Sequence, residues 1–113
     1  MTEKMIGQEY LSNILRDYGV THLFYQEEAL NRVLSDLESK YGVRPILGHS
    51  ELAVGYMADG YARASGKPAV CYSQSIGAAN LAAGVHDAWL SSSPVIALTC
   101  CKESRLQYRN AYQ

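Results

Sequence analysis

No apolar run in the sequence approaches the roughly 20 residues that a membrane-spanning helix requires, so no membrane partner is expected. The opening MTEKMIGQEY has no basic region followed by an apolar one. It does not read as a secretory leader, and the expected compartment is the cytoplasm. A block of basic residues is missing too: 10 basic and 11 acidic side chains leave a formal net charge of -1. A nucleic-acid binder would carry a concentrated basic face. The nine tyrosines are scattered and build no stacking platform with interleaved Arg or Lys. Cysteine is scarce. Cys71, Cys100 and Cys101 are odd in number, show no CxxC spacing and do not group with His22, His49 or His86. A disulfide framework or zinc site is therefore not expected, and the thiols read as buried residues at strand ends. There is no GxGxxG, P-loop or GxSxG elbow. His86 and Asp87 are neighbours on a predicted helix and point in different directions, so they form no hydrolase triad.

What is present suits one globular domain. The chain has 113 residues, 48% hydrophobic and 19% charged, enough to bury about two-thirds of its unfolded surface. Residues 7–18 place Tyr10, Leu11, Ile14, Leu15 and Tyr18 at helical spacing, with Gly19 as a stop. THLFY (21–25) reads as a strand. Leu30, Val33, Leu34 and Leu37 mark a helix over 27–40, and residues 45–47 form a second strand. Ser50 is a helix cap, and 51–64 is a helix rich in Ala and Gly. Glycine inside a helix costs roughly 1 kcal/mol against alanine, so Gly55 and Gly60 call for close backbone approach to another element. AVCYS (69–73), a small-residue helix over 77–90, and a strand over 95–101 complete the order. The residues after Lys102 show no clear element.

Short apolar strands alternating with helices predict a three-layer α/β domain, its mainly parallel sheet flanked by helices. Such sheets bind ligands at the carboxyl ends of their strands. Glu51, residues 73–77 and Cys100-Cys101 fall at those ends and should share one rim. Pattern alone leaves Glu51 with two readings. It is either an ordinary end-group favoured by the helix dipole or a working carboxylate. Residues 73–77 are likewise either a plain connection or part of a site.

The segment HSELAVGYMADGYARASGKPAVCYSQSIGAANLAAGVHDAWLSSSPVIALT resembles the N-terminal pyrimidine-binding domain of thiamine-diphosphate enzymes. These include acetolactate synthase, pyruvate decarboxylase and oxalyl-CoA decarboxylase. The most specific part is ELAVGYMADGYARASGK, from Glu51 to Lys67, which follows the pattern E-x-x-A-x-x-M-A-x-G-Y-A-R-x-x-G-K at every fixed position but one, Val54 standing where the pattern has alanine. The likeness starts at LSNILRDYGVTHLF and reaches YRNAYQ, so it spans nearly the whole chain. It implies that Glu51 is catalytic: the family's matching glutamate hydrogen-bonds a ring nitrogen of the aminopyrimidine and favours its imino tautomer. Sharing a proton in this way calls for an apolar setting. The resemblance further implies cofactor contacts from Ser73, Gln74, Ser75, Gly77 and Asn80, and a substrate side formed by Tyr25, Gln26 and Gln113. It implies thiamine diphosphate with magnesium as cofactor and a small 2-keto acid as substrate. The glycine-bearing helix would lie at a subunit interface, which implies a homo-oligomer.

Several positions depart from the family pattern. Its Gly-Pro-Gly-like turn is replaced by Tyr25, Gln26, Glu27 and Glu28, and its T-S-G-P-G loop reads Ser73, Gln74, Ser75, Ile76, Gly77. A Gly-Gln pair after the fourth strand has become Cys100-Cys101. The Gly-Asp-Gly motif that holds magnesium and diphosphate does not occur. The chain is thus expected to be a partial domain, with the diphosphate and metal held by a missing domain or a separate subunit. A flavin, bound by some relatives, has no support in these residues. The competing reading is a non-catalytic remnant that dimerises through the helix over 51–64 and binds no cofactor. A flavodoxin-like small-molecule binder shares the sheet logic but leaves the long motif unexplained.

Overall fold

The computed structural model describes residues 4–26, 30–101 and 104–109. Its elements alternate along the chain: α1 (Gly7–Asp17), β1 (His22–Tyr25), α2 (Asn31–Tyr41), β2 (Arg44–Leu47), α3 (Glu51–Ser65), β3 (Ala69–Ser73), α4 (Gly77–Leu90) and β4 (Val95–Thr99). The four strands form one parallel sheet in the order β2-β1-β3-β4. The expected three-layer arrangement is what the chain adopts, with a helix pair on each face of the sheet.

Strand alternation sorts the core into two halves. Leu23, Val70 and Tyr72 face α1 and α2, where they meet Leu15, Val33, Leu34 and Leu37. Phe24, Ala69 and Cys71 face the other way, onto Val54, Ala58, Ala62 and Leu81 of α3 and α4. Each central strand therefore needs apolar side chains on both faces, which is why AVCYS reads as an unbroken run. All five residues of β3 are buried. Asp59 is a buried carboxylate in this layer. Arg63, one turn along the same helix, holds it through two contacts of 3.0 and 2.8 Å, which lowers its pKa against the opposing effect of burial.

The helices α3 and α4 touch backbone to backbone. A Cβ on Gly55 would lie 3.1 Å from the Leu81 carbonyl oxygen, and one on Gly84 would lie 2.5 Å from the Gly55 carbonyl carbon. The glycine rationale holds at Gly55, whose neighbour belongs to the same chain. It fails at Gly60, where a Cβ would meet nothing within 4 Å.

Most boundaries agree with the sequence reading to within one residue, and the larger differences are these. Helix α2 begins at Asn31, and residues 27–29 of the expected helix lie outside the described residues. Strand β4 ends at Thr99 instead of Cys101. Its one neighbour β3 stops at Ser73, the register partner of Thr99, so the ladder has nothing further to pair with. A short 3-10 turn, Ser104–Leu106, follows where no element was expected. No helix among the described residues is long and apolar enough to cross a membrane.

Candidate functional site

Because all four strands are parallel, their carboxyl ends form a single rim. Glu51, Ser73 and Gly77 are placed there by the junctions that follow β2 and β3. Gly48, just after β2, donates its N–H to the Tyr25 carbonyl at 2.7 Å. A Cβ on Gly48 would lie 2.5 Å from Val54 Cγ2, so this residue lets α3 start close to the sheet. Sequence reasoning passed over it, although a glycine between a short strand and a capping serine is a visible signal. Ser50 then caps α3 as expected, its Oγ accepting from the Ala53 N–H at 3.2 Å. That fixes Glu51 as the first residue of the helix, half-buried.

Two other junctions converge on it. Ser73 ends β3 fully buried, and Gly77 opens α4. A Cβ on Gly77 would collide with Ser73 Oγ and lie 2.7 Å from Glu51 Oε1 and 2.9 Å from Glu51 Cγ. The glycine thus leaves just enough room for the carboxylate to stand against the amino end of α4. Glu51 sits at the amino ends of two helices, each presenting unpaired N–H groups and partial positive charge. Its carboxylate has no hydrogen-bond or ion-pair partner among the described residues. Ser73 Oγ donates at 3.3 Å to the Gln74 carbonyl.

Of the remaining candidates, Gln74, Ser75, Tyr25 and Gln26 lie along the same rim. Gln74 and Ser75 form the half-buried connection between Ser73 and Gly77. Tyr25 and Gln26 lie at the end of β1, both half-buried, with Tyr25 packed on the α1–α2 side of the core. Asn80 is exposed, one turn into α4. Gln113 and the pair Glu27 and Glu28 lie outside the described residues. The structure therefore brings Glu51, Ser73 and Gly77 into contact and leaves Asn80 at the surface.

The thiols depart from the expectation of buried strand-end residues. Only Cys71 is buried; Cys100 is half-buried and Cys101 exposed. Both lie past the end of β4, where no neighbouring strand among the described residues pairs with them. Two grooves, of about 550 and 570 Å³, lie away from Glu51. One is between α1 and α2, and the other runs between α1 and the β4 edge, lined by Leu11, Ile14, Tyr18, Val95 and Leu98. No three His, Cys, Asp or Glu side chains among the described residues group as metal ligands.

Comparison with known proteins gives a consistent picture. Residues 5–113 match the family described as "Thiamine pyrophosphate enzyme, N-terminal TPP binding domain". The "Probable acetolactate synthase large subunit" of Methanocaldococcus jannaschii is 48% identical over 110 residues, 96% of this chain and 19% of that protein. Two solved structures share the fold. A Mycobacterium smegmatis protein described as thiamin diphosphate-dependent superposes with a TM-score of 0.82 at 22% identity, over 96% of this chain and 21% of its own. Benzoylformate decarboxylase from Polynucleobacter necessarius superposes with a TM-score of 0.78 at 20% identity, over 92% of this chain and 20% of its own. The chain spans about a fifth of the length of each.

Proposed function

We propose that this chain, which belongs to the thiamine pyrophosphate enzymes as an N-terminal TPP binding domain, supplies the aminopyrimidine half of a thiamine-diphosphate site. The parent activity in this reading is an acetolactate-synthase-like carboligation or 2-keto-acid decarboxylation, consistent with the 48% identical relative. The observation that carries it is the Glu51 carboxylate. It has no partner among the described residues and stands against Gly77, where any side chain would intrude.

These residues fit the group. A carboxylate free of internal partners can hold a proton against a ring nitrogen. A glycine beside it lets a flat ring approach the backbone. Ser73, being buried, offers its hydroxyl inside the same cradle. Thiamine diphosphate, when bound, supplies an electron sink for breaking the bond to a keto acid's carboxylate. Glu51 supplies the proton control, Gly77 the clearance, and the segment from Ser73 to Gly77 one wall. Magnesium and the diphosphate fall to another domain or subunit in this reading, so the chain alone is inactive. In this reading the working assembly is a homo-oligomer or a complex with such a subunit.

Calorimetry tests the assignment. Thiamine diphosphate with magnesium is titrated into the chain alone and into its mixture with the diphosphate-binding domain of an acetolactate synthase. Binding in the mixture that Glu51→Gln weakens supports the reading. Absence of binding in both makes the chain a cofactor-free remnant.

A further inference from the structure

The carboxyl rim carries a second cluster that the cofactor role does not use. Cys100 and Cys101 follow β4 directly, past the last ladder pair of Ser73 with Thr99. The three thiols of the chain differ in setting. Cys71 lies in the middle of β3, and burial pushes its thiol up to about 12, so it stays protonated and inert. Cys101 is exposed. The half-buried Cys100 places its Sγ 3.6 Å from the hydroxyl of Tyr72, a side chain buried in the α1–α2 half of the core. That hydroxyl can donate to the sulfur and hold it in place. The pair thus combines one thiol open to solvent with one held from inside by a phenol.

We propose that Cys101 and Cys100 form a two-thiol exchange site for small-molecule disulfides. In the first step the Cys101 thiolate attacks one sulfur of the incoming disulfide. A bond to Cys101 Sγ forms, the small disulfide's bond breaks, and the expelled thiolate takes up the proton that Cys101 released. In the second step the Cys100 thiolate attacks Cys101 Sγ. The Cys100–Cys101 bond forms, and the second small thiol leaves with the proton from Cys100. Two protein thiols are oxidised and one small disulfide is reduced to two thiols. Adjacent Cα atoms stand about 3.8 Å apart across a trans peptide. A relaxed disulfide spans roughly 4.4–6.8 Å. The bridged state is therefore strained and readily reduced again, which makes the exchange reversible. Tyr72 precedes Ser73 in β3 and points to the opposite face, so the thiol pair and the Glu51 cradle share the rim but lie on opposite sides of the sheet. The exchange does not depend on cofactor binding.

The test is intact-mass spectrometry of the folded chain during incubation with glutathione disulfide. The wild type is expected to pass through a single-glutathione adduct to a form lighter by two hydrogens. Cys101→Ser should form the adduct at least about tenfold more slowly, because the exposed attacking thiol is gone. Cys100→Ser should stop at the adduct. Fragmentation of the wild-type adduct must place glutathione on Cys101, a readout that needs no variant. An adduct mapped to Cys71 would overturn the proposal. So would a Cys101→Ser chain reacting at the wild-type rate, or a wild-type adduct as persistent as that of Cys100→Ser.

Discussion

The contact between α3 and α4 yields a sharp test, because two glycines of this helix pair should respond with opposite sign. A Cβ on Gly84 would lie 2.5 Å from the Gly55 carbonyl carbon, 2.7 Å from the Tyr56 nitrogen and 2.8 Å from Gly55 Cα. All three are backbone atoms of α3 and cannot rotate away. Ordinary contact begins near 3.4 Å, so Gly84→Ala must force the helices apart by roughly 1 Å, an overpacking that costs about 1–3 kcal/mol. Alanine's better helix propensity offsets up to about 1 kcal/mol of that. Three backbone clashes put the cost at the upper end of that range, so the net loss should be about 2 kcal/mol, at roughly 4 °C in Tm for each kcal/mol in a domain of this size. Gly60, in the same helix pair, faces open space, so Gly60→Ala should gain about 0.5–1 kcal/mol from propensity alone. Urea and thermal unfolding followed by circular dichroism measure both. Wild-type stability in Gly84→Ala, or equal losses in the two variants, would refute the close-approach argument.

Two further predictions concern His22 and Gly77. The His22 ring lies tilted against Tyr61 with the ring centres 4.4 Å apart, and its Nδ1 lies 3.0 Å from the Thr21 hydroxyl. Burial, then the nearby Arg44 and Lys67 cations, lowers its pKa below 6.5. The unfolded chain therefore binds the extra proton first. Stability should be fully present above about pH 6.5 and fall as the pH drops through the lower folded value. Urea midpoints between about pH 5 and pH 8 should change less in His22→Gln than in wild type, and parallel profiles would count against this coupling. Gly77→Ala should leave the overall circular dichroism unchanged, because the atoms it meets are the Ser73 and Glu51 side chains and not backbone. It should still weaken thiamine-diphosphate binding in the two-domain mixture by about tenfold or more, since the added methyl displaces the Glu51 and Ser73 side chains from the cradle. Calorimetry checks this, and unchanged affinity would mean that the cradle is not the binding wall.

Much of the architecture was legible in the residues. AVCYS has the unbroken apolar run of a strand covered on both faces, and Ser50 before Glu51 marks a capped start that the Ala53 contact bears out. What was not legible depends on distant neighbours. The end of β4 is set by where β3 turns away, a fact about Ser73 that nothing in VIALTCC encodes. Gly55 and Gly60 look alike in a helical sequence, yet only one faces another helix. The same limit applies at the rim. Strand ends predicted a shared edge for Glu51 and Ser73, but only the fold shows that Gly77 separates their side chains by so little. The exposure of Cys101 follows from the absence of a further paired strand beyond β4 among the described residues, and local sequence gives no hint of it.

The Glu51, Ser73 and Gly77 cradle has a consequence for how errors in folding would show themselves. Its members come from separate junctions, and Ser73 faces Glu51 only because β3 pairs with its neighbours in one register. A slip of one residue would reverse every side chain of that strand. Tyr72 would swing toward Gly77, where not even a methyl group fits, and Ser73 would enter the leucine-rich half of the core. A misaligned sheet cannot hold the cradle even partly. Occupancy of this pocket by any small probe would therefore proofread strand alignment across the domain, reporting the pairing of the whole sheet from one point on its rim.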